Sequence, residues 1–275
     1  MSAILKFVRY RSAFVGSVIV AIYCCLAIFP GLVAPYSPLD QHPIDRLRPP
    51  NATYWLGTDE FGRDQLSRII YGARNSMGIA LSSIAIALFF GTVLGMIAGY
   101  FGGAADSIIM RIMDMFFAFP SLLLALFIVT ALGPGAGNTI LAIALVYLPI
   151  FARVARAPVL TLKEREFVQA AVLIGARDSR ILVRHILPNL LAPLIVTATL
   201  ALSWAVLTEA GLSFLGLGTV PPNPSWGSML SDSKTLMEFA PWTTIFPGLA
   251  ILFCVLGFNF LGDGLRDVLD PRIRA

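Results

Sequence analysis

Residues able to do chemistry are few in this chain and widely scattered. Glu209 stands at the outer end of an apolar run, where an ionisable group is costly without a partner and is a functional candidate by default. It could attract a cationic or amino-terminal group, or it could tie the chain to another subunit. Arg111 and Asp114 have the spacing of an orienting ion pair on one helical face, and Asp263 with Arg266 repeats it; Asp267, Asp270 and Pro271 complete that second polar end. His42 and His185 fall in separate polar segments, and the chain has no H-E-x-x-H spacing. By residue type His185 invites a pH-switch reading, against which stands a surface histidine completing a basic helix. Cys24, Cys25 and Cys254 sit in apolar runs without ligand spacing and read as structural thiols. No G-x-x-x-x-G-K-[ST] loop occurs, so ATP hydrolysis has no seat on this chain. A membrane enzyme would need a nucleophile, metal cluster or carboxylate pair gathered at one depth, and none is visible.

Two polar segments remain as places to dock or to position. The island Arg165–Pro188 is too charged to lie in hydrocarbon. Its pattern predicts a helix from Glu166 to Ile174, a break at Gly175, a second short helix capped by Ser179 and running through His185, and a stop at Pro188. Ala171 and Gly175 are four apart with Ala170 beside them, a small face that another backbone can approach closely. Phe167 and Ile174 add an apolar rim. An ordinary interhelical loop obeying the positive-inside bias is the alternative. The other segment, Gly57 to Arg68, is dense in both charge signs and reads as paired side chains on a solvated face.

These segments are positioned by a membrane protein. Of 275 residues, 57% are hydrophobic and 13% charged, and the mean hydropathy is +0.80. That is far from the balance of a soluble domain. Uncharged runs at Ser12–Pro35, Asn75–Ala105, Met115–Ala152, Asn189–Thr208 and Phe239–Gly262 supply spans of about 20 residues each. The glycine-rich turn Gly133–Gly137 splits the third run into two. Six spans result, the first a retained helix rather than a cleaved leader.

An internal N-terminus leaves 14 basic residues inside, Lys6, Arg9 and Arg11 among them, against 6 outside. The positive-inside rule favours that orientation, and it makes the island cytoplasmic. The net charge of +4 has meaning only through this asymmetry. Trp226 and Trp242 flank the second external segment, where aromatic rings favour the headgroup level. Pro221, Pro222 and Pro224 would stiffen that segment as an outer gate or a receiving surface.

The island resembles the glutamate-alanine-alanine loop of importer-type ABC permeases, whose pattern is E-A-A, three residues, G, nine residues, I-x-L-P. Gln169-Ala170-Ala171 leads here to Gly175, and nine residues later to His185-Ile186-Leu187-Pro188. Gln169 stands for the glutamate and His185 for the isoleucine. The external string Gly57-Thr58-Asp59-Glu60-Phe61-Gly62-Arg63-Asp64-Gln65-Leu66-Ser67-Arg68, followed by Gly72, Arg74 and Ser76, resembles the second permease subunit of dipeptide, oligopeptide and nickel importers. So do the stretches Gly211–Leu230 and Phe258–Arg272.

The resemblance implies an all-α polytopic fold with six transmembrane helices, the type I importer permease fold with a cytoplasmic coupling helix. Glu166, Phe167, Gln169, Ala170, Ala171, Ile174, Gly175 and Pro188 would form the ATPase-docking loop, with Ala170, Ala171 and Gly175 as its contact surface. Asp59, Gly62, Arg63, Asp64 and Arg68 would carry the external family motif. Glu209 and Trp226 are the candidates for pathway or gate. Implied partners are a homologous second permease, two cytoplasmic ATPases holding ATP and Mg, an extracytoplasmic solute-binding protein and membrane lipid, with no cofactor on this chain and no nucleic acid.

The expected organisation is an N-terminus and first span over 1–35, an external loop over 36–74, a five-helix core over 75–265 and a cytoplasmic tail over 266–275. Within the core lie a coupling loop at 159–188 and an external loop at 216–241. The setting is a bacterial inner membrane with both termini cytoplasmic. The expected function is half of an import path for di- or oligopeptides; nickel chelates, glutathione or another small solute are alternatives. A secondary transporter, the other class, would normally show inverted repeats and midplane charges.

Overall fold

The computed structural model describes residues 11–269, and the regular elements within that range are all helical. Lys6 and Arg9, and at the other end Asp270, Pro271, Arg272 and Arg274, lie outside the described residues. Helix α1 (Arg11–Ile28) carries the first uncharged run, and Pro30 at the head of the single turn α2 (Pro30–Val33) follows it. Residues 34–64 are irregular apart from a 3₁₀ turn at Pro43–Asp45.

Helix α3 (Gln65–Phe101) begins ten residues before the expected Asn75 and runs through the expected division at residue 74. Its start is fixed by Asp64, whose carboxylate accepts from the Ser67 amide at 2.8 Å and the Ser67 hydroxyl at 2.6 Å. At 37 residues it is about 55 Å long, so it projects well beyond a hydrocarbon layer of about 30 Å.

Helix α4 (Gly103–Phe117) and helix α5 (Ser121–Leu132) form a pair bent by 92° around Pro120. The expected span beginning at Met115 is therefore a broken one. After Gly133 (φ +91°) and Gly135 (φ +139°), helix α6 (Ala136–Leu162) returns across the bundle, so the expected split at this turn is present.

The island contains α7 (Glu166–Leu173) and α8 (Asp178–Ile181). A π-helical turn at Leu182–Ile186 then joins α8 to α9 (Leu187–Phe214) without interruption. Two expectations change here. Ser179 does not cap the second helix, because Arg177 occupies the N-cap position and Asp178 opens the first turn. Pro188 does not stop the helix either, since the helix that begins at Asp178 runs on through it to Phe214. The preceding π turn, with the Leu187 amide bonded to the Leu182 carbonyl, makes room for the ring.

Outside the spans, α10 (Trp226–Ser233) is closed by a Ser225–Ser228 capping box, and α11 (Trp242–Leu269) is the last long helix. Helices α3, α6, the continuous Asp178–Phe214 segment and α11 are each long and apolar enough to cross a membrane. The bent pair makes a fifth, and α1 is a shorter apolar helix. The six expected spans correspond to these four, the bent pair and α1.

Glycines set how closely the helices approach. Gly91, Gly95 and Gly99 form one stripe of α3 against α6. A Cβ at Gly91 would come within 2.6 Å of the Leu148 carbonyl oxygen, one at Gly99 within 2.8 Å of Val159, and one at Gly95 would strike the Ala152 carbonyl. In the same way Gly16 of α1 lies against the Leu261 backbone, and Gly257 and Gly264 of α11 receive Ile19 and Ala13. The core between these helices holds Met77, Ile143, Phe151, Leu190, Leu212 and Trp226, all buried.

Candidate functional site

The island folds as an amphipathic hairpin on the end of the bundle. Val168, Ala171, Ile181 and Ile186 face inward and are buried, while Leu173 and Ile174 are 87% and 85% exposed and Phe167 is 46% exposed. Gly175 adopts φ +76°, and its amide donates to the Val172 carbonyl at 2.9 Å while the Ala176 amide donates to Ala171 at 3.0 Å. This is a Schellman end, and the left-handed position explains a glycine there. No atom lies within 4 Å of where a Cβ would stand, so the site opens outward.

Gln169 donates to the Glu164 carbonyl at 3.1 Å, turned back on its own loop, and Glu166 is exposed in the first turn of α7. Pro188 is exposed at the head of α9. The small residues thus divide: Ala170 and Gly175 are outward, whereas Ala171 is the covered floor of a concavity of about 450 Å³ between α7 and the π turn. Phe167 and Ile174 form one wall of it and Arg180, Arg184 and His185 the other. An exposed apolar patch of this kind on a charged loop marks an interaction surface.

The external segment differs from the solvated face expected for it. Asp59, Arg63, Asp64 and Arg68 are all buried, because the loop folds back over the C-terminal end of α10 and the start of α11. The Asp59 carboxylate accepts from the amides of Phe61 and Arg63 at 2.9 Å each, from Arg63 Nε at 2.6 Å, and pairs with Arg68 at 3.4 Å. Arg68 reaches on to Asp232 of α10 at 3.6 Å. Burial raises the Asp232 carboxyl above its ordinary range, opposed by Arg68 and Arg63. Gly62 (φ +74°) lies on the His42 backbone, where a Cβ would collide with the carbonyl. Trp242 donates to the Thr58 carbonyl at 3.1 Å and Gln65 to the Thr243 carbonyl at 3.1 Å, so the segment is tied to α11.

Glu209 and Trp226 belong to one buried cluster inside this chain. The Ser213 hydroxyl donates to Glu209 Oε1 at 2.6 Å, and Oε2 has no hydrogen-bond partner among the described residues. Trp226 is fully buried in the protein: its indole N–H donates to the Ile69 carbonyl at 3.0 Å, its amide to Ser76 at 3.2 Å, and Tyr23 meets its ring edge-on at 5.6 Å. The cause is Gly227, which lets α10 sit directly on the Ala210 backbone and carries the ring inward.

Ion pairs within and at the foot of the bundle also depart from the local spacing. Asp114 pairs with Arg153 of α6 at 2.6 Å rather than with Arg111, and among the described residues no ion pair joins Asp263 to Arg266. Asp106 takes a bidentate hold on Arg156, and Tyr100 at the end of α3 donates to Asp178 of α8 at 2.9 Å. Sequence reasoning missed these ties because their members are 39 to 78 residues apart. Among the described residues no group of His, Cys, Asp and Glu could hold a metal ion.

Comparison with known proteins bears on the family and the fold. Residues 91–275 match the family described as the binding-protein-dependent transport system inner membrane component, and residues 2–50 match the N-terminal transmembrane domain of oligopeptide transport permease C. The chain is 49% identical over 267 residues to the dipeptide transport system permease protein DppC of Alkalihalophilus pseudofirmus, covering 97% of this chain and 88% of that protein. It is 47% identical to the di/tripeptide transport system permease protein DppC of Pseudomonas aeruginosa (98% and 91% covered). Against the glutathione transport system permease protein GsiD of Pectobacterium atrosepticum it is 42% identical (98% and 90% covered). A chain from an inward-facing structure of the MetNI methionine ABC transporter superposes with a TM-score of 0.58 at 18% identity, covering 74% of this chain and 97% of that one, a likeness of fold.

Proposed function

The chain belongs to the family of binding-protein-dependent transport system inner membrane components, and on that premise we propose that it forms half of the path of an ATP-driven importer of di- or oligopeptides. Its homologous partner permease supplies the other half. Two cytoplasmic ATPases carry ATP and Mg, and an extracytoplasmic binding protein delivers the solute to the outer face. The setting is the bacterial inner membrane with both termini inside. The 14 to 6 division of basic residues supports that orientation. The N-terminal span, external loop, helical core and tail follow in that order, with the first core helix starting at Gln65 instead of residue 75 and the coupling loop at 159–188 meeting the ATPase.

One observation carries the docking assignment: Phe167, Leu173 and Ile174 stand exposed around an outward-facing Gly175, on a loop whose other face is fixed into the bundle by Val168, Ala171 and Ile181. Such a loop presents an apolar knob on a rigid base and passes a push from a partner to α6 and α9. The external motif, Asp59 to Arg68, acts in this reading as the clamp that holds the outer loop to α10 and α11. Glu209 and Trp226 fix the outer ends of α3, α9 and α10 beside the gate. A glutathione importer is the second reading, supported by the 42% identical relative.

The test is Gly175→Trp in the tagged, co-expressed complex. A bulky side chain is added on the docking side, at a φ that costs an L-residue about 1–2 kcal/mol. The variant is expected to insert in the membrane at normal abundance, to lose both ATPases on purification, and to import no dipeptide. Full uptake with the ATPases retained would remove the docking assignment.

A further inference from the structure

The bend between α4 and α5 leaves helix-free backbone deep in the membrane. Helix α5 has 12 residues, so the break at Ala118–Pro120 lies about 18 Å from the Gly133 turn. Tyr147 stands 11 residues into α6 and Trp204 10 residues before the end of α9, at about 17 and 15 Å by the same rise. All three therefore lie near the middle of a layer about 30 Å thick. Exposed irregular backbone is tolerated at that depth only where protein or a water-filled cavity covers it. Yet Phe119 is 61% exposed, and Ala118 and Pro120 are exposed as well.

A second observation points to the same face. Arg153 and Asp114 pair at 2.6 Å with their side chains 47% and 51% exposed, and Arg153 also lies 4.0 Å from the centre of the Phe117 ring. Arg153 is 17 residues into α6, about 26 Å from its outer end. That distance places the pair close to the inner boundary of a layer about 30 Å thick, where its half-exposed charges reach headgroups and water, so it marks the inner end of this face. Between the break and this pair opens a cavity of about 420 Å³, walled by Phe117, Phe119, Tyr147, Ile150 and Trp204, with Trp204 63% exposed. That volume is within the range of small-molecule sites.

We propose that this aromatic-walled cavity is a transit site on the import path, taking the apolar or aromatic side chain of a short peptide, with the Arg153–Asp114 pair at its inner side. The proposal rests on the peptide-import reading for the identity of the solute, but not for the presence of water. The wall is apolar and rotationally undemanding, so it gives grip on varied side chains without fixing one. A site of this kind biases the path towards apolar side chains by loss of water from their surface.

Two measurements on the assembled complex in proteoliposomes decide it. In a chain with Cys24, Cys25 and Cys254 replaced by alanine, Phe119→Cys is expected to react with a charged, water-soluble methanethiosulfonate, and the dipeptide Ala-Phe delivered by the binding protein is expected to slow that reaction. Absence of reaction would mean that lipid or the partner permease covers the break, and the proposal falls. In a chain that keeps its cysteines, Trp204→Ala is expected to lower the ratio of Phe-Phe to Ala-Ala initial uptake on the order of tenfold. An unchanged ratio overturns the side-chain assignment. If the unaltered complex imports neither peptide, the peptide reading fails by itself, and the reaction at Phe119→Cys still decides whether water lines this face.

Discussion

Asp59 is the residue on which the outer cluster depends. It offsets two buried arginines, Arg63 and Arg68, with side chains 9% and 4% exposed, while also accepting two backbone amides. Its removal leaves both guanidinium groups buried with their shared carboxylate gone, a change worth about 3–5 kcal/mol. Asp64, one turn away, does a smaller job: it caps α3, and its replacement by alanine costs about 1 kcal/mol. Asp59→Ala is therefore expected to lower the thermal midpoint of the purified complex by several times the shift caused by Asp64→Ala. Equal shifts from the two variants would mean that the cluster is solvated, as its charge density alone suggests. The residue types were readable in the sequence; their burial was not, because it comes from contacts with α10 and α11 more than 150 residues away.

At the scale of elements, the small-residue stripe is the strongest determinant of packing. Gly91, Gly95 and Gly99 repeat every four residues on α3 and bring it against α6 closely enough that backbone carbonyls occupy the space a side chain would need. Gly95→Leu is expected to leave insertion intact and to make the protein protease-sensitive and unstable in detergent, with a larger effect than Gly78→Leu, whose Cβ would meet nothing within 4 Å. Limited proteolysis of both variants in membranes checks the contrast, and equal resistance would deny the stripe its role. The glycines are in the sequence, but small-residue spacing stood out there only in the Arg165–Pro188 island, and the partner helix α6 is what gives this stripe its meaning. Other features at this scale were legible: the apolar runs located the long helices, the glycine turn after Leu132 divided two of them, and Gly175 marked the end of α7. The bend at Pro120 and the passage of α8 into α9 were not. Proline signals a possible break without saying whether the chain turns by 92° there or, as at Pro188, continues as helix with a π turn before it.

Across the whole molecule, the loop Arg165–Pro188 is joined to the bundle by ties to different helices. Its buried face packs on the core, and Tyr100 at the foot of α3 donates to Asp178 at the head of α8. Nearby, Lys163 holds the Gly99 carbonyl at 3.1 Å and Arg156 holds Asp106, so α3, α4 and α6 are fastened together close to the loop. If an ATPase docks on α7 as proposed, its push passes through the Gly175 turn into α8, from there along continuous helix into α9, and to α3 through the Tyr100–Asp178 bond. The first route is covalent and survives substitution. The second is a solvent-exposed hydrogen bond to a carboxylate, worth about 1 kcal/mol, which is roughly a fivefold bias on the position of α3 relative to α8. Tyr100→Phe keeps the ring and loses only the hydroxyl. It is expected to leave complex assembly and ATP hydrolysis near normal while lowering the number of peptides imported per ATP. Asp178→Asn should lower it similarly, and the double variant by no more than the worse of the two, since both remove the same bond. Additive losses, or a parallel fall in ATP hydrolysis, would show that the bond merely stabilises the loop, and that the motion reaches the outer half of the bundle through α9 alone.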